Sequence, residues 1–474
     1  MARLVVVSNR IAGIQGAGGA SAGGLAMALS ASLREHGGLW FGWSGNTCQA
    51  FNAAADVRDR GDLATATIDL EPQDVDEYYN GFANRTIWPL CHYRIDLAAY
   101  ERSFGSGYAR VNARFAEALV PLLRSDDVIW VHDYHLIPLA RELRRRGITN
   151  KIGFFFHIPW PIRQVLVTLP RHHELVQSMF HYDLVGFQTA DYLDAFRDYV
   201  VEELEGVADA DGRLTAFGRV LTARAYPIGI DVAEMATLVQ SKAGSDSFAK
   251  RRAMSGNQKM IIGVDRIDYT KGLPEKFDAY EQFLKDNPDC RGEVFLLQIG
   301  QPSRSTLPIY TELGAHLQEE AGRINGEYGT MDWSPLRYRS QSMPRDVLAG
   351  AYRAARAALV TPLRDGMNLV AKEFIAAQDP NDPGVLILSR FAGAAIQMRE
   401  ALLVNPYSRE DVAEAIARAV AMPLSERVVR WKALYAGLVR DDLTAWRKSF
   451  MRDLVDGGAN DSQAEAGKIT LGNR

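Results

Sequence analysis

Residues 358–373, ALVTPLRDGMNLVAKE, carry the pattern on which the fold of this chain depends. The apolar run 358–363 predicts a buried strand, and the polar residues 364–368 predict a short connection to a helix that begins near Leu369. A strand that leads directly into a helix is the repeating unit of parallel α/β sheets, which bind ligands beyond the carboxyl ends of their strands. This segment therefore predicts an α/β fold with a ligand site at the junction, where helix amides attract anions.

The same alternation of short apolar strands and helical stretches extends over the 474 residues of the chain. Between residues 242 and 247 the chain is polar, which predicts little helix and favours a domain boundary close by. We therefore predict two facing, doubly wound, Rossmann-like domains at 1–235 and 236–455, an interdomain cleft, and a mobile tail at 456–474. The predicted strands are 4–7, 128–131, 152–156, 184–187, 225–228, 260–264, 294–299, 358–363 and 385–388.

The composition argues against several classes of protein. A net charge of −4 without a long basic tract makes nucleic acid an unexpected partner. No apolar run reaches the length of a membrane span, and the apolar start of the chain is too short for a signal peptide, so we expect a cytoplasmic protein with no membrane partner. The three cysteines, Cys48, Cys91 and Cys290, are far apart and predict neither disulfides nor a zinc site.

Two pairs of histidines and two pairs of aspartates could suggest metal ligands. The pairs His132/His135 and His172/His173 have no acidic or cysteine ligands at a recognised spacing, so we predict no metal site there. The Asp-x-Asp pairs at 74–76 and 209–211 are interpreted as structural, and the second has the composition of a turn.

Three segments that follow strands are candidates for anion binding. Gly23 and Gly24 precede a predicted helix and would let a phosphate or a sugar approach its amides, although a flexible glycine-rich loop is an equal alternative. Arg266 and Lys271 follow a strand and could neutralise a diphosphate, or could form surface ion pairs with aspartates of the same loop. In the opening segment, Asp365 could accept hydrogen bonds from sugar hydroxyls.

The N-terminal half supplies a second group of polar residues. Arg10 ends the first strand, while Asp133 and His157 each follow another strand. Because the carboxyl ends of parallel strands meet at one edge of a sheet, we expect these three side chains to converge. Tyr79 and Trp88 flank a polar segment of the same half. A buried histidine without function is the alternative for His157.

In their order along the chain, these motifs resemble those of trehalose-6-phosphate synthases, which are retaining glucosyltransferases with two facing Rossmann-like domains, the GT-B arrangement. The resemblance runs from Arg3 to about Leu454. Its motifs are VVSNR at 6–10, GLWFGWSG at 38–45, DEYYN at 76–80, WVHDYH at 130–135, GFFFHIP at 153–159, DRIDYTKG at 265–272, AGRING at 321–326 and LRDGMNLVAKE at 363–373.

The resemblance implies substrates and site residues. UDP-glucose would bind mainly to the C-terminal domain and glucose 6-phosphate to the N-terminal domain. The implied acceptor-binding residues are Arg10, Tyr79, Trp88, Asp133 and Arg304. The implied donor-binding residues are Gly23, Gly24, Arg266, Lys271, Met343, Asp365, Leu369, Val370, Ala371, Lys372 and Glu373. Those nearest the reacting atoms are Asp133, His157, Arg266, Lys271 and Asp365.

The resemblance also implies the chemistry. Glucose would be transferred with retention to give trehalose 6-phosphate and UDP, by a front-face mechanism that needs no metal or other cofactor. We expect a homo-oligomer, a dimer or a tetramer. Met343 stands where some relatives carry an aromatic residue, so ADP-glucose and GDP-glucose stay open as donors. Other phosphorylated acceptors, such as glycerol 3-phosphate, and a non-catalytic binding protein on the same fold are the alternatives.

Overall fold

Two mainly parallel sheets form the fold, and they confirm the predicted α/β class. The computed structural model describes residues 2–11, 33, 38–59, 61, 63–304 and 306–457. The first sheet contains β1 Leu4–Arg10, β2 Gly38–Thr47, β3 Asp56–Asp59, β4 Leu63–Leu70, β5 Val128–His132, β6 Lys151–Phe155, β7 Leu184–Phe187, β8 Val207–Ala208, β9 Arg213–Ala216 and β10 Arg219–Ala225. Its order is β3-β4-β2-β1-β5-β6-β7-β10-β9-β8, with antiparallel pairing only at the two edges.

The second sheet is parallel throughout the described residues. It contains β11 Lys259–Arg266, β12 Val294–Gln301, β13 Leu336–Arg339, β14 Ala357–Val360, β15 Val385–Ser389 and β16 Leu402–Val404. Its order is β13-β12-β11-β14-β15-β16. Strand order reverses between β11 and β14, as it does between β1 and β5 in the first sheet. The connections that follow such a pair of strands diverge and leave a crevice.

Helices separate most of the parallel strands, as expected of a sheet covered on both faces. In the first half they are the π-helix Val75–Ile87 and the α-helices Arg102–Leu119, Leu139–Arg145, His172–Met179 and Ala190–Glu202. The later α-helices are Val232–Gln240, Lys242–Ser255, Leu273–Asp286, Pro308–Tyr328, Arg345–Ala354, Leu369–Ala376, Arg409–Ala421, Leu424–Arg440 and Leu443–Asp456. None of the helices within the described residues has the length and apolar character needed to cross a membrane.

The expectation of little helix at 242–247 is wrong. Residues 242–255 form a helix whose first turn is capped by Ser241, because its hydroxyl accepts a hydrogen bond from the Gly244 amide at 3.0 Å. Gly350 permits a close crossing of this helix and Arg345–Ala354, since a Cβ on Gly350 would lie 2.1 Å from the Gly244 carbonyl oxygen. The packing of two helices at glycines therefore gives this polar segment its structure. The predicted boundary near residue 235 stays a prediction.

The last described helix, Leu443–Asp456, lies against the first sheet although it follows the second in the chain. Its residues Trp446, Phe450 and Leu454 are all buried, as their spacing of four indicates. The ring of Phe450 stacks on Trp130 of β5 at 4.7 Å between centroids. The apolar face of this helix thus joins the end of the chain to the N-terminal half.

Candidate active site

The site lies where both sheets reverse their strand order. Arg10 ends β1 and Asp133 follows β5, while Lys271 and Asp365 follow β11 and β14. The two crevices face each other, because the hydroxyl of Tyr192, in the N-terminal half, donates to the carbonyl oxygen of Asp365 at 2.9 Å. The topology therefore brings the strand-end residues predicted in the N-terminal half close to those predicted in the C-terminal half.

The loop around Asp365 is shaped by the end of its strand and the start of its helix. β14 ends at Val360, before the predicted end at 363, and Pro362 has no N–H to extend the ladder. Asn368 adopts a left-handed conformation with φ 76°, and its side-chain oxygen accepts from the Ala371 amide at 3.3 Å. This cap turns the chain sharply and places Asp365 in the cleft beside the helix N-terminus.

Lys271 and Asp365 form the charged centre of the C-terminal half. Nζ of Lys271 lies 2.5 Å from Oδ2 of Asp365, and Nδ2 of Asn368 donates to the same oxygen at 3.0 Å. Burial alone would raise the pKa of Asp365, but the charge and hydrogen bond of Lys271 hold that pKa below its ordinary 3.8. Asp365 is therefore ionised at neutral pH and suited to accept a hydrogen bond from a hydroxyl.

The aspartates in the loop of Arg266 and Lys271 pair with other residues. The alternative, in which these aspartates form ion pairs with Arg266 and Lys271, is therefore wrong. Oδ2 of Asp265 is 2.6 Å from the buried ammonium of Lys276. Oδ2 of Asp268 is 3.0 Å from Nη1 of Arg304. Lys271 is thereby directed to the cleft.

Arg304 connects the two halves across the cleft. Besides Asp268, its guanidinium donates to the hydroxyl of Tyr310 at 2.8 Å and to the hydroxyl of Tyr134 at 3.2 Å. It also lies over the ring of Trp88, 4.0 Å from the ring centroid. Only 6% of this side chain is exposed, so its position is fixed by contacts on both sides.

A row of aromatic rings, here called the aromatic row, leads from Arg10 towards Arg304. The guanidinium of Arg10 lies 5.4 Å from the ring centre of Trp43, which contacts Tyr79 at 5.7 Å between centroids. Tyr79 stacks on His135 at 5.9 Å, and His135 lies 3.9 Å from Tyr134. Four of the predicted acceptor residues, Arg10, Tyr79, Trp88 and Arg304, therefore lie along one continuous surface.

Asp133 joins the end of β5 to the residues that follow β6. It has φ 75°, and its Oδ1 accepts from the amides of Tyr134 at 3.0 Å and His157 at 3.2 Å. Burial raises the pKa of Asp133 to about 6, although the two amides and nearby arginine charges oppose the shift. Burial lowers the pKa of His157 to about 3, and its Nε2 lies 3.0 Å from Nδ1 of His132. His157 is therefore a neutral hydrogen-bonding group.

Gly366 lies at a close approach of the two halves. A Cβ placed on it would lie 2.0 Å from the carbonyl oxygen of His157 and 3.0 Å from Cα of Ile158. A side chain at this position would therefore force apart the Asp365 loop and the end of β6.

The other residues predicted to bind the donor do not all face the cleft. Leu369, Val370 and Ala371 begin the helix Leu369–Ala376, whose amides point to the cleft entrance. Met343 lies 3.9 Å from Nη2 of Arg251, measured to its sulfur. The ammonium of Lys372 is directed away from the helix start. It donates to the carbonyl oxygen of Ile228 at 2.6 Å and to Gln397 at 2.7 Å. Gly23 and Gly24 lie outside the described residues.

The sequence reasoning missed several residues that support the site. Tyr134, Asp268 and Asn368 each bind a predicted residue, as described above. His92 is also buried, with Nδ1 2.7 Å from the Trp88 carbonyl oxygen and its ring 4.1 Å from the Trp88 ring. Burial lowers its pKa to about 4. An Asn just before a helix was a visible capping signal, and the partner of His92 is only four residues away, whereas the partners of Tyr134 and Asp268 depend on tertiary contacts.

The prediction of no metal at His172 and His173 depends on the lack of an acidic ligand at a recognised spacing, and it stays a prediction. Glu203 supplies the acidic partner, and one ligand atom from each of the three residues lies within 4.8 Å of the others. The acidic residue is 30 positions away in sequence, so no local spacing reveals it. The Asp-x-Asp interpretations are consistent with the structure, since Asp74 is buried against Arg110 at 2.8 Å and Asp209 accepts from backbone amides of its own turn.

Two facing doubly wound domains with cations on one side of the cleft and an aromatic row on the other define a GT-B glycosyltransferase. The description "Glycosyltransferase family 20" belongs to the family model that matches residues 8–456. The chain belongs to glycosyltransferase family 20, and the predicted family is confirmed.

Its relatives agree in sequence and in structure. Trehalose-6-phosphate synthase of Sinorhizobium fredii is 50% identical over 96% of this chain and 98% of that protein, and the enzyme of Citrobacter koseri is 46% identical over 96% of each. A UDP-forming α,α-trehalose-phosphate synthase from Burkholderia xenovorans in complex with glucose-6-phosphate is 49% identical, with coverage of 96% and 100% and a TM-score of 0.92. A structure from E. coli bound with UDP-2-fluoro glucose is 44% identical, with coverage of 96% and 99% and a TM-score of 0.91.

Proposed function

We propose that this chain transfers glucose from UDP-glucose to glucose 6-phosphate and forms trehalose 6-phosphate and UDP with retention of configuration. The observation that carries the proposal is the placement of Arg304. This buried arginine joins the loop after β12 to Tyr134 and Trp88 of the opposite half, beside the Lys271–Asp365 pair. A cleft with cations for a leaving diphosphate and an arginine for an acceptor phosphate suits these two substrates.

The donor half stabilises the leaving group. Arg266 is exposed in the cleft, where its guanidinium lies 5.4 Å from the Trp88 ring centre, and Lys271 lies deeper beside Asp365. Together they offset the negative charge that builds on UDP as the glycosidic bond breaks. Asp365 accepts a hydrogen bond from the transferred glucose and keeps its anomeric carbon in place. The helix start at Leu369 and Val370 contributes amides of positive polarity to the phosphates.

The acceptor half holds glucose 6-phosphate along the aromatic row. Arg10 and Arg304 lie at its two ends and supply positive charge for the phosphate. Tyr79 and Trp88 provide aromatic surface for the sugar ring. Asp133 orients the chain at the end of β5 through its two amide contacts, and it faces the acceptor hydroxyl.

Retention follows from attack on the face that the UDP leaves. Asp365 already accepts hydrogen bonds from Lys271 and Asn368, which makes it a poor nucleophile. His157, neutral because burial lowers its pKa to about 3, is a weak base. A phosphate oxygen of the departing UDP therefore takes the proton from the incoming hydroxyl.

The experiment that tests the function is a matrix of nucleotide-glucose donors against phosphorylated acceptors. We expect UDP release from UDP-glucose only when glucose 6-phosphate is added, with trehalose 6-phosphate as the product. ADP-glucose and GDP-glucose serve as donor alternatives, and glycerol 3-phosphate as the acceptor alternative. A chain that releases no UDP with any hexose phosphate would exclude this function.

Replacing Gly366 with alanine is expected to lower kcat/KM about a hundredfold, because separating the halves by about 1 Å misaligns donor and acceptor. The melting temperature should also fall, because the added Cβ meets backbone atoms in a buried contact. The measurements are initial rates and the melting temperature. The matched control is Gly326→Ala in the helix Pro308–Tyr328, where an added Cβ meets nothing within 4 Å. Equal rates for G366A and the control would show that the close approach is not needed for transfer.

Glu373 gives the donor site a pH dependence. Burial raises the pKa of its carboxyl to about 7. The charge of Glu234 adds to this rise, and the charge of Arg345 opposes it. Glu373 is an implied donor-binding residue that lies about one turn inside the helix Leu369–Ala376, at a reach suited to the two ribose hydroxyls of the donor. Its carboxyl is charged above pH 7 and protonated below it, so its ability to accept hydrogen bonds from these hydroxyls falls as the pH decreases. We expect the KM for UDP-glucose to rise about tenfold between pH 8 and pH 6.

Initial rates with UDP-glucose varied at saturating glucose 6-phosphate measure this effect. The diphosphate diester of UDP-glucose does not titrate in this range, so the donor itself is not the source of a change. In Glu373→Gln the KM should be high and independent of pH, while the exposed Glu319→Gln should behave as the unaltered protein. A KM for E373Q that still follows pH would assign the effect to another group.

We also expect the transfer to proceed without a metal ion. Arg266 and Lys271 supply the positive charge that a divalent ion provides in metal-dependent transferases. Dialysis against EDTA should leave kcat unchanged, measured with and without added Mg²⁺. A loss of activity that Mg²⁺ restores would contradict this expectation.

The homo-oligomeric state and the cytoplasmic location belong to the same proposal. Both rest on the family resemblance and on the sequence. Sedimentation velocity of the full chain distinguishes a dimer or a tetramer from a monomer.

A further inference from the structure

Two neighbouring helices of the N-terminal half bring together three residues with metal-binding side chains. His172 and His173 begin the helix His172–Met179, and Glu203 immediately follows the helix Ala190–Glu202. One ligand atom of each lies within 4.8 Å of the others, so a small rotation of the side chains would bring all three to a single ion. The side chains of His173 and Glu203 are 53% and 27% exposed, so an ion from solvent can reach them.

The histidine rings are already oriented. The hydroxyl of Tyr199 lies 2.6 Å from Nδ1 of His172, and Nε2 of His173 lies 3.3 Å from Oε1 of Glu203. Metal-binding histidines commonly have a partner outside the ligand set on one ring nitrogen, which fixes the ring and the tautomer, and Tyr199 is such a partner for His172.

We infer that His172, His173 and Glu203 bind a divalent transition metal ion, with Zn²⁺ as the probe of choice. Two imidazole nitrogens and one carboxylate oxygen form a ligand set that suits Zn²⁺, and the partial exposure leaves a coordination position for water. Hard ions such as Mg²⁺ prefer oxygen ligands and should bind weakly here.

The site is separate from the cleft. Tyr192, at the start of the helix Ala190–Glu202, contacts the Asp365 loop, whereas Glu203 follows the last residue of that helix. The two positions are eleven residues apart, which is about 17 Å along the helix axis. The ion therefore joins the start of one helix to the end of another and stabilises the N-terminal half without taking part in transfer.

Isothermal titration of the full chain with ZnCl₂, after dialysis against EDTA, tests this inference. We expect one ion per chain and a rise in melting temperature with Zn²⁺, and no effect of Mg²⁺. His173→Ala and Glu203→Gln should each lose the bound ion and the thermal shift. Tyr199→Phe should bind Zn²⁺ about tenfold more weakly, as expected for loss of a group that orients a ligand.

The control is His316→Ala, which removes an exposed histidine of the helix Pro308–Tyr328 and should bind Zn²⁺ as the unaltered chain does. The transfer rate of all these variants should stay unchanged, because none of the four residues lies in the cleft. Absence of stoichiometric Zn²⁺ binding would overturn the inference. So would Zn²⁺ affinity in H173A and E203Q equal to that of the unaltered protein.

Discussion

Replacing Arg266 with alanine is expected to lower kcat by about a hundredfold to a thousandfold, as loss of one preorganised charge-stabilising group typically does. The exposed guanidinium lies over Trp88 at 5.4 Å, and its charge acts on three carboxylates of the cleft, since it opposes the effect of burial on the pKa of Asp133, Asp268 and Asp365. The same charge faces the diphosphate as UDP departs. Because the side chain is exposed, the fold should be preserved.

Initial rates with both substrates saturating, together with the melting temperature, measure this effect. The matched control is Arg399→Ala, which removes an exposed arginine outside the cleft and should leave kcat unchanged. If kcat of R266A stayed within a few fold of the unaltered protein, the role of Arg266 on the leaving group would be contradicted.

Replacing Arg304 with alanine is expected to affect both binding and stability. Loss of a buried charged contact costs about 2–5 kcal/mol of binding, so the KM for glucose 6-phosphate should rise about thirtyfold or more. The buried Asp268 would lose its arginine partner at 3.0 Å, which should lower the free energy of unfolding by about 3–5 kcal/mol. The KM for UDP-glucose should change much less.

The KM values are obtained by varying each substrate separately, and stability by denaturant unfolding. Arg304→Lys keeps the charge but not the planar fork, so it should recover part of the stability and little of the acceptor affinity. Arg409→Ala, an exposed arginine of the same half that is 61% exposed, serves as the control for loss of positive charge. A KM for glucose 6-phosphate that is unchanged in R304A would remove Arg304 from the acceptor site.

Much of the fold was readable from the sequence because buried parallel strands are short, continuous apolar runs. The prediction at 184–187 coincides with β7, and 260–264 and 385–388 lie within β11 and β15. The apolar pattern did not predict β2, β3, β4, β8, β9, β13 and β16. At 225–228 the strand ends at Ala225 instead of starting there. Ile228 instead offers its carbonyl oxygen to Lys372, a contact 144 residues away in sequence. The apolar character of 225–228 predicted a buried segment, but it did not predict the hydrogen-bond partners of that segment.

The sequence predicted which residues of the candidate site lie at strand ends. Arg10, Asp133, Lys271 and Asp365 all follow strands next to a reversal of strand order, and such positions face the crevice of any doubly wound sheet. The direction of each side chain was not predictable. Lys271 and Lys372 are both lysines near predicted anion sites, yet one points into the cleft and the other into the interior.

The sequence by itself determined the alternation of strands and helices, the family, and the strand-end residues of the opening segment 358–373. These depend on local periodicity and on motif order, which are properties of neighbouring residues. The tertiary structure alone decided that Asp365 pairs with Lys271, that Arg304 reaches Tyr134, and that Glu203 joins His172 and His173. Each of these contacts joins residues far apart in the chain, and their geometry exists only once the sheets and helices have packed.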